Sequence, residues 1–341
     1  MLWDALKDDE TALRCLLSLA FCENTHVVKK ALDIIEKVLQ QASQQEKPSF
    51  ITKVTAEELQ KLFLKNQASP LPDQILLSML KILLPLQSTS GSQVEIKLLC
   101  FVIDTLTKPT NKVPSITVAA INYLNVALSV NMDSQHPRVA SVLFSNRDFI
   151  SWLQKAMTSI SFQASRNSNA DFENVFAACL LLVSNLVLSQ SKLRIAHSVQ
   201  LTLEKDALIE LLNDTQSSLL RLVSLVFWKA YFNAGGKTCI LFEENFLGEE
   251  SRSANNNLTE LDLKVIFVYL QNSLMHEGEA VKGCSMECMK AFLFFEGCKD
   301  ICKANRWNYG DTRIHAIFHR EWGTKLPFDP AVHNDAEDKW P

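Results

Sequence analysis

Apolar residues recur three and four positions apart in nearly every stretch between residues 10 and 295, the spacing that lays side chains along one face of an α-helix. Between His26 and Gln41, Val27, Ala31, Ile34, Ile35, Val38 and Leu39 form one stripe, and Lys29, Lys30, Asp33, Glu36 and Lys37 fall mostly opposite. This predicts an amphipathic helix capped by Asn24 or Thr25. Thr55-Ala-Glu-Glu58 has capping-box spacing and predicts a short helix to about Leu64, because hydroxyl and carboxylate can each satisfy an orphan amide. Pro72-Asp73 opens the next helix, to about Leu86. Further helical runs cover Ser92 to Leu106, Ser115 to Val130, Asp148 to Ser161, Asp171 to Leu188, Leu203 to Leu212, Thr215 to Phe232, Thr259 to Met275 and Gly278 to Phe295. About a dozen helices are expected, and no strand.

Several of these helices read as variants of one unit, a polar corner followed by a broadly hydrophobic helix of about 17 residues. The unit appears at Asn24 to Leu39, Leu71 to Leu86, Pro114 to Val130, Asp171 to Leu188, Asp214 to Phe232 and Gly278 to Phe295. Successive starts lie roughly 47, 43, 57, 43 and 64 residues apart, bracketing the period of about 40–47 of armadillo and HEAT repeats. An irregular helical bundle of the same composition is the competing architecture. Runs apolar on more than one side, such as Phe176-Ala-Ala-Cys-Leu-Leu-Leu-Val183, suit the sandwiched position in a stack of repeats.

At two places the chain resembles the armadillo family more closely. Leu124-Asn125-Val126-Ala127 and Ser184-Asn185-Leu186-Val187 are similar to the Asn-containing core of the third helix of an armadillo repeat. In that family such asparagines line a concave groove and bond the backbone of an extended peptide. The next unit reads Val226-Phe227-Trp228-Lys229-Ala230, so the asparagine ladder is interrupted there. The resemblance implies an all-α fold, a right-handed α-solenoid over residues 1–296 with a C-terminal cap or tail over 297–341. It also implies a groove at Asn125, Asn185 and Trp228 for an extended peptide or a partner helix, and a role as a scaffold rather than an enzyme. Residues 170–295 resemble the meiosis inhibitor protein 1 family of helical-repeat proteins. That resemblance implies a nuclear scaffold acting in meiotic double-strand-break formation and synapsis.

Composition narrows the classes. Of 341 residues 34 are basic and 38 acidic, a net charge of −4 that excludes a basic nucleic-acid-binding domain. Nine Gly and ten Pro, against usual shares of about 7% and 5%, argue against turn-dense β folds. The opening Met1-Leu2-Trp3-Asp4, with acids at Asp8 and Asp9, lacks the basic and apolar regions of a secretory signal. The longest apolar stretch, Val175 to Leu188, carries Ser184 and Asn185 and falls short of the roughly 20 residues of a membrane span, so no membrane association is expected. Nine cysteines, several inside apolar helical patterns (Cys15, Cys22, Cys100, Cys179), predict small buried hydrophobes and a reducing compartment, nucleus or cytoplasm.

Cys298-x3-Cys302-x12-His315-x3-His319 has the spacing of a two-Cys, two-His zinc site, whose thiolates and imidazoles could close a tetrahedron. The cysteines continue from a helix rather than a β-knuckle, and Arg306 and Thr312 occupy positions where a finger holds apolar residues. Cys284 and Cys288 repeat the four-residue spacing with no histidine partner. The reading is therefore a capping segment without a cofactor. A zinc-binding or nucleic-acid-associated tail is the alternative. Asn233-Ala-Gly-Gly-Lys237-Thr238 ends like a phosphate-binding loop, but its first glycine position is Tyr231 and it follows a helix, so Gly235 and Gly236 read as a helix stop. None of the seven histidines stands in a catalytic signature.

Overall fold

Local capping sets the first helices. The carboxylate of Asp9 accepts the Ala12 amide at 2.9 Å and opens α1 (Glu10–Ser18), which tightens into a 3-10 turn at Leu19–Phe21. Asn24 then accepts the amides of His26 and Val27 and starts α2 (Thr25–Ser43). Val28, Ala31, Leu32, Ile35, Val38 and Leu39 face inward on α2, while Lys29, Lys30 and Lys37 remain exposed. The computed structural model describes residues 9–43, 55, 58, 61–62, 72–89, 96–108, 113–133, 138–164, 170–193, 200–213, 217–236, 238–243, 254–255, 258–275 and 278–295.

The chain divides into two compact units, Met1–Ser198 and Val199–Pro341, a division inside the 1–296 stretch that the repeat spacing does not mark. The first unit continues through α3 (Asp73–Thr89), α4 (Ile96–Thr107), α5 (Pro114–Asp133), α6 (Arg138–Ser145), α7 (Arg147–Ala164) and α8 (Ala170–Leu193). Helix α2 packs on α3, α3 on α5 and α5 on α8, one continuous layer. Helix α4 packs on α5 and α7, and α7 on α8, which makes a second. This is the two-layer helix stacking of a helical-repeat protein. Helices α5 and α8 are buried on more than one side, through Ile116, Ala120, Ile121, Leu124, Ala127 and Leu128 on one and Phe176, Leu180, Leu182, Val183, Leu186 and Val187 on the other.

Two expectations in this unit are corrected. Thr55 is itself helical and fully buried, with no hydrogen bond at its hydroxyl. Glu58 turns instead to Lys61 at 2.6 Å and Arg14 at 3.6 Å, so no capping box forms there. Helix α8 also outruns the apolar stretch read from the sequence: Ala170–Lys192 is long and apolar enough, by length and composition, to cross a membrane, and 67% of its most apolar window is buried inside the protein.

The second unit holds β1 (Leu201–Glu204), α9 (Lys205–Glu210) with a 3-10 turn at Leu211–Asn213, α10 (Ser218–Asn233), β2 (Ile240–Glu243), β3 (Ala254–Asn255), α11 (Glu260–Leu274) and α12 (Glu279–Leu293). The strands are a correction, since none was expected. β1 runs parallel to β2 with Leu201 opposite Ile240, and β2 runs antiparallel to β3 with Phe242 opposite Asn255. Four residues of alternation, Leu201 and Leu203 buried with Thr202 and Glu204 half-buried, are too short to stand out in a leucine-rich helical background. The partner strand arrives only after α9 and α10.

Helix ends in this unit follow local chemistry. Ser217 caps α10 through the Leu220 amide at 3.1 Å. Gly235 and Gly236 stop it with φ of 65° and 71°, their amides returning to the carbonyls of Phe232 and Tyr231, the left-handed ending that glycine permits. Thr259 and Asp262 form a reciprocal capping box at the start of α11. The same Asp262 carboxylate accepts Lys205 Nζ at 2.9 Å, an ion pair whose side chains are only 10% and 12% exposed. It ties the start of α9 to the start of α11.

Candidate partner-binding surface

Asn125 and Asn185 meet. The Asn185 side-chain amide donates to Asn125 Oδ1 at 2.9 Å, and Asn125 Nδ2 donates to the Ala178 carbonyl at 3.3 Å. The two residues that carry the armadillo resemblance therefore form a polar bridge between α5 and α8. Asn125 is 6% exposed, with its carbonyl and amide both engaged inside the protein. The groove contact expected of it is corrected: a side chain enclosed between two helices has no face for a peptide. Asn185 is half-buried and stands at the rim.

Around this bridge the helices leave two ridges. On α5, Val118, Asn122 and Val126 are half-buried and Ser129 is exposed; on α8, Leu181, Asn185 and Leu188 are half-buried. Their spacings of three and four place each set on one helix face. Each ridge mixes apolar carbon with an amide, a composition suited to a partner whose backbone needs donors and acceptors.

Trp228 is corrected in the same way. It is fully buried, and its Nε1 donates to the Leu208 carbonyl at 3.1 Å. Phe227, Tyr231, Phe232 and Phe242 surround it with ring centroids 5.3–5.8 Å away for Phe227, Tyr231, Phe232 and Phe242. The Trp-for-Asn change in the repeat pattern marks a switch of core chemistry. Burial pushes the phenol of Tyr231 up to about 12.

Cys298, Cys302, His315 and His319 lie outside the described residues. Among the described residues no three of His, Cys, Asp and Glu come together as metal ligands. Of the cysteines expected in the core, Cys179 is buried, whereas Cys15, Cys22 and Cys100 are exposed on their helices. Apolar neighbours in sequence did not reveal which side of the helix each occupies. Cys239 and Cys288 are also buried, and desolvation raises the thiols of Cys179 and Cys239 to about 12 and that of Cys288 further still. Such thiols are inert as nucleophiles. The phosphate-loop-like segment is the α10 stop, where the Gly235 and Gly236 amides bond helix carbonyls. An open depression of about 430 Å³ lies on α1, lined by Glu10, Thr11, Arg14, Cys15 and Ser18. Sequence reasoning missed the Lys205–Asp262 pair, although the Thr259-x-x-Asp262 spacing was there to be read.

No family model matches the chain, and no curated protein matches it. Among solved structures it is similar to an engineered protein from the Northeast Structural Genomics Consortium, with 12% identity and a TM-score of 0.47, covering 83% of this chain and 96% of that one. It is also similar to an archaeal HEAT-like repeats protein from Thermococcus onnurineus NA1, with 12% identity and a TM-score of 0.40, covering 85% and 92%.

Proposed function

We propose that the chain is a non-enzymatic scaffold that binds other proteins, and that the α5–α8 ridges of the first unit receive an extended peptide or a partner helix. The observation that carries this reading is the pair of half-exposed ridges on helices otherwise buried on both sides, with the Asn125–Asn185 bridge holding them in register. A layer of stacked helices is rigid where it is buried and free to vary where it is not, which suits a docking platform.

Affinity purification of the full chain beside a Val126→Glu, Leu188→Glu variant tests it. Both positions are half-buried on the ridges, so charge there disturbs docking more than folding. Partners recovered with the native chain should fall at least tenfold with the variant while Cys179 stays protected from thiol reagents. Equal recovery would move the platform elsewhere. Nuclear action in a meiotic chromosome assembly is the finer form of the proposal and rests on the sequence resemblance of residues 170–295. Immunolocalisation on spread meiotic chromosomes checks it. Zinc content of the same purified protein tests the alternative role for Cys298, Cys302, His315 and His319: one bound zinc per chain would favour the tail.

A further inference from the structure

Helix α10 carries a buried cation that has no counter-charge among the described residues. Arg221 is 6% exposed, and its Nε is shielded from solvent with no hydrogen-bond partner. Among the described residues it forms no ion pair, and the buried carboxylate of the same unit, Asp262, is taken by Lys205. A guanidinium does not deprotonate in proteins, so the neutralisation open to a buried lysine or glutamate is closed to it. Buried charges are as a rule paired, and an unpaired one calls for a partner.

The N-terminus of the same helix supplies more donors. Ser217 Oγ takes the Leu220 amide at 3.1 Å and the Ser217 carbonyl takes the Arg221 amide at 3.2 Å. The amides of Ser218 and Leu219 have no acceptor among the described residues, and both residues are exposed. These amides stand at the positive end of a 16-residue helix. Helical side chains lean toward the N-terminus, so the side chain at 221 is carried back over the 217–218 turn. The carbonyl end of α9 could have served as its counter-charge. Yet the Leu208 carbonyl already accepts Ser224 and Trp228, and the Leu212 carbonyl accepts Ser273.

We propose that Arg221 and the Ser218 and Leu219 amides form a binding site for one phosphate-class oxyanion, free phosphate or a terminal phosphoryl group. The guanidinium fork matches two oxygens of a tetrahedral anion, and the amides complete its shell. So little of Arg221 reaches the surface that a single compact anion fits better than a polyanionic strand.

Titration of the full chain with inorganic phosphate against chloride at matched ionic strength is the test, read by calorimetry and thermal melting. Phosphate should bind saturably and raise the melting temperature by several degrees. Arg221→Gln should bind at least tenfold more weakly. Ser218→Pro removes one amide at the helix position that proline prefers, after a residue already extended at φ −123° and ψ 107°. It should keep the fold and bind about threefold more weakly, and it carries the test alone if Arg221→Gln does not fold. O-phosphoserine binding as tightly as inorganic phosphate would assign the site to a phosphoryl group on a larger molecule, and weaker binding would assign it to free phosphate. A phosphate response no larger than that of chloride, or one unchanged in both variants, overturns the proposal.

Discussion

The first unit fills its interior with aliphatic side chains from helices buried on two sides, and its largest fully buried rings, Tyr123, Phe149 and Phe176, come from three different helices. The second gathers Phe227, Trp228, Tyr231, Phe232, Phe242, Phe267 and Phe292 into a joined set drawn from α10, β2, α11 and α12. Their buried polar groups differ too, an amide bridge between neutral asparagines in one and a Lys205–Asp262 ion pair in the other. A layer that passes contacts from each helix to the next can loosen at one place and hold at another. A hub whose rings touch four elements opens as a whole, because no element can leave without stripping the others. Stability should therefore be graded along the first unit and all-or-none in the second.

The largest effect should come from the hub. Trp228→Ala should cost about 3–5 kcal/mol in urea unfolding. It should make Cys239 and Cys288 reactive toward thiol reagents under native conditions while Cys179 stays protected. Equal exposure of Cys179 would mean that the two units unfold together. Asp262→Ala comes next, at about 3 kcal/mol, because it dissolves the α11 capping box and leaves the Lys205 ammonium buried without its carboxylate. Adding Lys205→Met should recover part of the loss, and failure to recover would assign the cost to the cap alone.

In the first unit, Asn125→Ala should cost about 2 kcal/mol, since the Ala178 carbonyl loses its donor and the Asn185 amide its acceptor. Hydrogen exchange should quicken in α5 and α8 and leave α2 unchanged; quickening throughout would contradict graded stability. Gly236→Ala in the second unit should cost about 1 kcal/mol, from a positive φ and a Cβ placed 3.4 Å from Phe295 and from the Tyr231 hydroxyl. Near neutral pH, acidity itself should have the smallest effect. Cys179, Cys239 and Tyr231 have folded values near 12, above the ordinary values of 9 and 10, so the folded state holds more protons in that interval. Their stabilisation is complete below about pH 9 and is lost as pH rises toward 12. Thiol labelling above pH 9 should reach Cys239 and Cys288 together, and Cys179 on its own schedule.

Much of the helical framework was legible in the chain. The Asn24 cap, the proline opening α5, the double-glycine stop after α10 and the start of α11 at Thr259 each depend on residues within one turn of the helix end. The candidate surface was legible only as a pair of asparagines. The groove-facing direction expected of Asn125 was not legible, because the same helix-borne amide can face a peptide or a neighbouring helix. Arg221 gave no signal at all, since one arginine in an apolar helix reads as a surface residue until the neighbours close around it.

By itself, and apart from α6, the sequence determined where most helices lie, where many begin and stop, and that several would be buried on more than one side. Those properties follow from periodicity and capping, which act over a few residues and need no partner. Only the tertiary structure decided that Leu201–Glu204 would be a strand, that Cys15, Cys22 and Cys100 would face solvent, and that Asn125 and Trp228 would bond inside the protein. Each of these depends on a group brought close from elsewhere in the chain. Asn185 is 60 residues from Asn125, and Leu208 is 20 from Trp228. Burial and hydrogen-bond direction are set by which surface arrives, and no window of local sequence contains that surface.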